Sequence, residues 1–373
     1  MSTLPPLRKP LGERPEDSFT LSSEYYLSPQ VYELEKQRIF YRTWQYVAHE
    51  SMLAKPGDYI TLRICDESIF VIRSDDNRLR AFYNVCRHRA HELLQGSGNL
   101  RKLIVCPYHA WSYSNGGDLV QAPMSEHRGE FDRSSFCLRE IRLETMCGFV
   151  FINLDDDCES LRDFAGDLEQ DIRRRVPYLD ELKYVGADLL GETRIDAGWK
   201  VVVDNYVECY HCRAAHRDFA SIIDMSAYQT DVFANWSRQY GPDIRYDNSA
   251  YELDPEVGMQ ESLFWFLWPN TTFNILPGSN ELGVFVVRPF AVDRSDFGGH
   301  SFSADGRIYQ PRADYTAEVL APEDIDLCES VQRGLRSQSY DQGAFMVSPA
   351  NPGEDEHALH HFHRLVYSAL ARD

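Results

Sequence analysis

The sequence is short of positive charge: 38 Lys and Arg stand against 58 Asp and Glu, a formal net charge of −20. Phosphate binding needs clustered cations, so no nucleic-acid partner is expected. No apolar run approaches the ~18 residues that a membrane-spanning helix requires. The longest runs, such as Leu263–Trp268 and Cys147–Leu154, have the length of buried strands, and no membrane association is expected. The first residues carry Pro5, Pro6, Arg8, Lys9 and Pro10 in place of the apolar core of a signal peptide, so the expected location is the cytoplasm. There is no Gly-rich strand-to-helix turn and no P-loop, so the chain itself is expected to bind neither nicotinamide nor flavin. Nine cysteines are an odd number in a chain without a secretion signal. That disfavours a disulfide scaffold and favours metal ligation or burial. Cys65, Cys137, Cys147, Cys158 and Cys328 are read as small buried or half-buried residues.

The length of 373 residues suffices for two domains, each with its own core. Residues 1–43 include a helical pattern, with Val31, Leu34, Ile39 and Phe40 on one side. Residues 44–155 turn to short β-rich runs separated by turn clusters such as Lys55-Pro56-Gly57-Asp58 and Asn115-Gly116-Gly117-Asp118, the pattern of a small antiparallel domain. Residues 156–373 mix helical segments with strands at Thr271–Leu276 and Gly283–Pro289, so an α+β fold is expected rather than a parallel sheet.

Within the β-rich region lie Cys86-Arg87-His88 and Cys106-Pro107-Tyr108-His109, a C-x-H and a C-x-x-H half separated by 17 residues. Two thiolates hold one iron of a [2Fe-2S] cluster well, and two neutral imidazoles on the other iron lower the negative charge and raise the reduction potential. A Cys2His2 zinc site uses the same residue types. Zinc fingers, however, place their two cysteines in one half and a helix after it, whereas here each half holds one Cys and one His in a β context.

The segments AFYNVCRHRAHELL and CPYHAWSYSNGGDL resemble the cluster loops of Rieske non-haem iron oxygenase large (alpha) subunits, and the similarity runs over most of the chain. The resemblance implies an antiparallel β Rieske domain followed by a helix-grip (START-like) α+β catalytic domain. It also implies Cys86, His88, Cys106 and His109 as cluster ligands. Arg87 and Ala90 depart from the family, which often has Pro and Gly there.

Residues 204–216 read DNYVECYHCRAAH, in which His211 and His216 lie five apart, off the register of a straight helix. Two histidines and a carboxylate make the facial triad that holds Fe(II) with open positions. The segment resembles the mononuclear-iron motif of the same family, and the resemblance selects Asp324 as third ligand; Glu323 and Asp326 compete for that role. It further implies that Glu208 bridges an iron histidine to a cluster histidine of an adjacent subunit, the longer acid being similar to the subgroup acting on quaternary ammonium compounds. Asp204 and Asn205 are candidates for tuning the site at one remove, helix capping being the alternative. His360, His361 and His363 are expected on a partly exposed helix face.

A one-electron cluster joined to an open iron(II) site points to O2-dependent oxidation fed by a separate NAD(P)H-dependent reductase carrying flavin or iron–sulfur groups. The resemblance implies a homotrimer and lies nearest the carnitine, choline and glycine-betaine monooxygenases. Aromatic residues of Glu261–Pro269, with Tyr246 and Tyr251, are candidates for facing a quaternary ammonium ion, with core packing an equal alternative. Arg217 is a candidate marker of altered specificity. Aromatic-ring hydroxylation or O-demethylation is the enzymatic alternative, and an electron-transfer Rieske protein without mononuclear iron the alternative from another class.

Overall fold

The computed structural model describes residues 4–100, 102–187 and 193–372. The chain divides into two units, Phe40–Asp163 and Met1–Ile39 with Phe164–Asp373.

The first unit is an antiparallel sheet of seven strands. Their spatial order is Gln45–His49, Phe149–Asn153, Glu140–Met146, Leu79–Tyr83, Glu67–Arg73, Asp58–Ile64 and Ser97–Asn99. A three-stranded sheet of Ile104–Val105, Ser112–Tyr113 and Leu119–Gln121 accompanies it. The hairpin between Glu140–Met146 and Phe149–Asn153 turns on Cys147 and Gly148 at φ 56° and 78°. Two positive φ values are what a two-residue hairpin that follows the strand twist needs. Phe70, Ile72, Phe82, Ile104 and Tyr113 form the core beneath the two Cys/His loops.

The second unit is built on an eight-stranded antiparallel sheet. Along it run Lys183–Ala187, Arg294–Ser303, Glu281–Ala291, Thr271–Ile275, Ser262–Leu267, Trp236–Gly241 and Gln229–Val232, with Thr193–Ile195 pairing onto Arg294–Ser303. Both units are antiparallel, as the turn-rich, alternating texture implies. The helical path that begins at Trp199 is broken into Trp199–Tyr206, Cys212–Ala215 and Arg217–Ile222. A second helical path comprises Gln310–Tyr315, a π-turn at Thr316–Leu320, and Ala321–Gly334. Pro322 has no N–H to continue an α-helical ladder, and the π-turn stands where that bond is lost. The C-terminal helix His357–Ala371 sets Phe362 against Trp199 and Trp268.

Candidate metal centres

The two Cys/His loops of the first unit share one backbone design. Cys86 N–H donates to His91 O at 2.8 Å and Ala90 N–H to Cys86 O at 3.0 Å; Cys106 N–H donates to Trp111 O at 2.8 Å and Ala110 N–H to Cys106 O at 3.0 Å. Ala90 and Ala110 close the loops at φ 57° and 58°. This is the left-handed region that glycine enters without a Cβ penalty, a penalty both alanines carry. Cys86 and Cys106 are buried and unbridged. His88 and His109 are exposed, their rings 4.7 Å apart, and His88 stacks on Trp111. Thiols inward and imidazoles outward suit a half-buried cluster with one iron at the protein surface. The first loop is pinned by Asn84, whose Oδ1 accepts from Leu93 and Leu94 N–H and whose Nδ2 donates to Leu94 O at 2.8 Å. Asn84 was missing from the expected set, and only its place two residues before Cys86 hints at it.

In the second unit the break after Tyr206 turns His211 and His216 toward each other, with ring centroids 5.0 Å apart. A donor atom each from His211, His216 and Asp324 lies within 4.8 Å of the others, a spacing that suits one metal ion. The opposite ring nitrogens are held as metal-bound histidines require. His211 Nδ1 lies 2.6 Å from Glu208 Oε1, and His216 Nδ1 lies 2.8 Å from Glu323 Oε2. Asn205 Nδ2 donates to Asp324 Oδ1 at 2.6 Å. Burial disfavours an imidazolium at His216, but Asp324 and Glu323 outweigh it and, without metal, raise its pKa to about 9. So concentrated a negative field around two imidazoles fits a dication.

Several expectations are corrected. Asp204 is not in this constellation: it accepts from Tyr26 Oη at 2.6 Å and pairs with His363 Nε2 at 3.1 Å. His363 is 1% exposed and takes Leu21 N–H on Nδ1, and His360 is 4% exposed against Gly12 O; only His361 is half-buried. The histidine-rich helix turns its polar groups inward because the N-terminal segment offers them partners. Arg217 is exposed at the first position of its helix, where proline would also suit, and does not line the cavity described below. A disulfide joins Cys209 and Cys212 with Cα atoms 5.0 Å apart, a local bridge around His211 where no disulfide was expected. Trp265 and Trp268 are core, Tyr251 is buried with its hydroxyl on Pro277 O, and exposed Tyr246 bonds Gln260.

A cavity of about 200 Å³ opens on the His/His/Asp set. Its floor includes one cross-strand row, Gln239, Phe264, Asn274, Gly283 and Ser301. Gly283 supplies no side chain, and a Cβ there would come within 2.7 Å of the Phe285 ring. Tyr206, Phe219, Tyr228, Phe285 and Phe297 complete the aromatic lining with Phe264. Of these only Phe264 falls in the stretch the sequence singled out.

A cluster domain joined to a His/His/carboxylate domain defines a Rieske-type non-haem iron oxygenase. Two family models match: the Rieske [2Fe-2S] domain over residues 43–139 and the ring hydroxylating alpha subunit (catalytic domain) over 173–372. The chain is 38% identical to the carnitine monooxygenase oxygenase subunit of Acinetobacter pittii (strain PHEA-2), over 98% of this chain and 99% of that one. It is 30% identical to the chloroplastic choline monooxygenase of Arabidopsis thaliana, over 95% of this chain and 84% of that one. The solved structure of the quaternary ammonium Rieske monooxygenase CntA with L-carnitine superposes with a TM-score of 0.86 at 36% identity, covering 95% of this chain and 97% of the other. The chain belongs to the ring-hydroxylating alpha-subunit family of Rieske oxygenases and is an oxygenase subunit of that family.

Proposed function

We propose that this oxygenase subunit oxidises a quaternary ammonium compound of the carnitine or betaine type beside its nitrogen and so cleaves a C–N bond. The observation that carries the reading is the way the cavity wall uses its polar groups. Tyr228 Oη donates to Gln239 Oε1 at 3.2 Å, Gln239 Nε2 to Tyr206 O at 2.7 Å, and Tyr206 Oη to Asn274 Oδ1 at 2.8 Å. Asn274 Nδ2 donates in turn to Thr272 Oγ1 at 2.9 Å. These phenols and amides are spent on one another and on the backbone, so the wall offers aromatic faces. A tetraalkylammonium ion has no N–H to donate and is held by such faces, by about 0.5–2 kcal/mol each. The similarity to the carnitine and choline monooxygenases supports the same class.

In this reading residues 44–155 receive the electron and 156–373 carry the oxidation. Cys86, His88, Cys106 and His109 hold the cluster, and His211, His216 and Asp324 hold the mononuclear iron. When bound, the two centres supply one-electron transfer and reductive activation of dioxygen. The protein groups then arrange the reaction. Glu208 and Glu323 hold the Nδ1 protons of His211 and His216, keeping both Nε2 lone pairs for the metal. Asn205 turns Asp324 by its 2.6 Å bond, and the aromatic wall excludes water. A C–H bond next to nitrogen becomes C–OH; the resulting hemiaminal loses its O–H proton and its C–N bond, leaving an aldehyde and a tertiary amine. A separate NAD(P)H-dependent reductase supplies the electrons. The working form is a homotrimer in which one subunit's cluster serves a neighbour's iron through Glu208.

Oxygen uptake with a competent reductase, across carnitine, γ-butyrobetaine, glycine betaine, choline and simple arenes, tests this. Uptake matched by tertiary amine and aldehyde is expected from a quaternary substrate. Turnover of arenes alone would overturn the substrate class, and a preparation with only two irons per chain would overturn the second centre.

A further inference from the structure

We propose that Arg87 raises the reduction potential of the cluster by two routes, one through its backbone N–H and one through its charge. The inference rests on the assignment of Cys86 and His88 as cluster ligands, between which Arg87 stands.

The backbone route starts at Arg87 N–H, which donates to Tyr113 Oη at 3.0 Å. Tyr113 Oη in turn lies 3.3 Å from Cys86 Sγ. A ligating thiolate carries no proton, so the phenol must be the donor in that contact. The result is a directed chain, N–H to O–H to sulfur, in which the first bond polarises the second. Tyr113 is fully buried, so water does not compete for its hydroxyl. Hydrogen bonds to cluster sulfur favour the more negative, reduced state and raise the potential.

The charge route is the guanidinium. Arg87 is exposed, and among the described residues no carboxylate pairs with it, whereas Arg63 in the same unit is tied to Glu92. Reduction adds one electron, delivered by the reductase, and breaks no bond. An unpaired cation beside the ligand loop stabilises that added charge, and because it is exposed, salt screens it. Arg89, also exposed, is a second cation on the same loop and stays unchanged in every Arg87 variant, so the differences between variants report Arg87 alone.

The two routes separate experimentally. Arg87→Gln keeps the N–H and removes the charge, Arg87→Glu reverses the charge, and Arg87→Pro removes both the N–H and the charge. The midpoint potential of the holoenzyme is read by redox titration of the Rieske EPR signal at low and high salt. Arg87→Gln is expected to shift the midpoint downward, and Arg87→Glu further, with both shifts shrinking in high salt. Arg87→Pro should fall below Arg87→Gln by an amount that salt does not change. An unmoved midpoint in Arg87→Gln and Arg87→Glu at low salt overturns the charge route. Equal midpoints for Arg87→Pro and Arg87→Gln overturn the backbone route. If Arg87→Pro fails to load its cluster, Tyr113→Phe tests the last link of that route: no shift overturns the route, and a salt-independent fall supports the hydroxyl as its relay to sulfur. A wild-type preparation lacking any Rieske signal would instead defeat the ligand assignment itself.

Discussion

Replacing Glu323 by Gln should weaken Fe(II) binding by about 5- to 30-fold and leave the cluster untouched. Glu323 Oε2 lies 2.8 Å from His216 Nδ1, on the far side of the ring from Asp324, which sits 2.9 Å from Nε2. A hydrogen bond to a charged partner contributes about 1.5–3 kcal/mol. The Glu323 side chain is 37% exposed while His216 is 3% exposed, so solvent screens one partner and about 1–2 kcal/mol is the appropriate range. At 1.4 kcal/mol per decade this gives the stated loss. Asp324→Ala, in contrast, removes a donor of the metal itself and should drop iron from about three to about two per chain. The assay strips the mononuclear iron with a mild chelator, then titrates Fe(II) back against a chromogenic competitor while the cluster is followed by its visible absorption. An affinity for Glu323→Gln within twofold of wild type would make Glu323 a spectator. Iron loss as complete as in Asp324→Ala would exchange the roles of the two acids.

Three further outcomes are expected. Burial lowers the His49 pKa to about 4, so the unfolded chain, near 6.5, takes up the proton first. That stability is complete above about pH 6.5 and is lost toward pH 4 by up to about 1.4 kcal/mol per unit; urea midpoints across this window should show the slope in wild type and less of it in His49→Gln. Lys200→Met strands the buried Glu35 carboxylate, leaving it Trp199 Nε1 at 2.8 Å. It should cost about 3–5 kcal/mol, with Glu35→Gln added in the same chain recovering much of it in denaturant titrations. Ala90→Gly relieves a left-handed alanine and should gain up to about 1 kcal/mol after the entropy of the freer unfolded chain is subtracted. Earlier cluster loss in urea for that variant would refute the strain.

What the sequence made legible follows the range of the interactions. The four proposed cluster ligands lie in two short motifs, whose residue types and spacing mark them as metal-ligand candidates. The left-handed φ at Ala90 and the grip of Asn84 on Leu93 and Leu94 are backbone properties, which no residue pattern there announces. His211 and His216 were readable as a pair through the likeness of the surrounding DNYVECYHC segment to the family motif, since their five-residue spacing alone is off the register of a straight helix. Asp324 lies 108 residues beyond His216, and only family likeness separated it from Glu323 and Asp326. Geometry shows why helical periodicity did not suffice. Consecutive helical positions point about 100° apart, yet Glu323 and Asp324 reach opposite nitrogens of one ring.

The cavity was the least legible part. Alternation along Ser262–Leu267 buries Leu263, Trp265 and Leu267 on one side, but on the other only Phe264 faces the cavity while Ser262 and Phe266 are buried, so period two alone does not separate core from lining within that strand. The remaining lining comes from helices and strands remote in sequence, and nothing local distinguishes Phe285 or Tyr228 from a core aromatic. Gly283 is harder still, since its contribution is a missing side chain between Asn274 and Ser301. The row that forms the cavity floor exists only through the register of five strands, so the shape of the cavity depends on pairings between strands, whereas the proposed iron ligands depend on donor types that a motif can state.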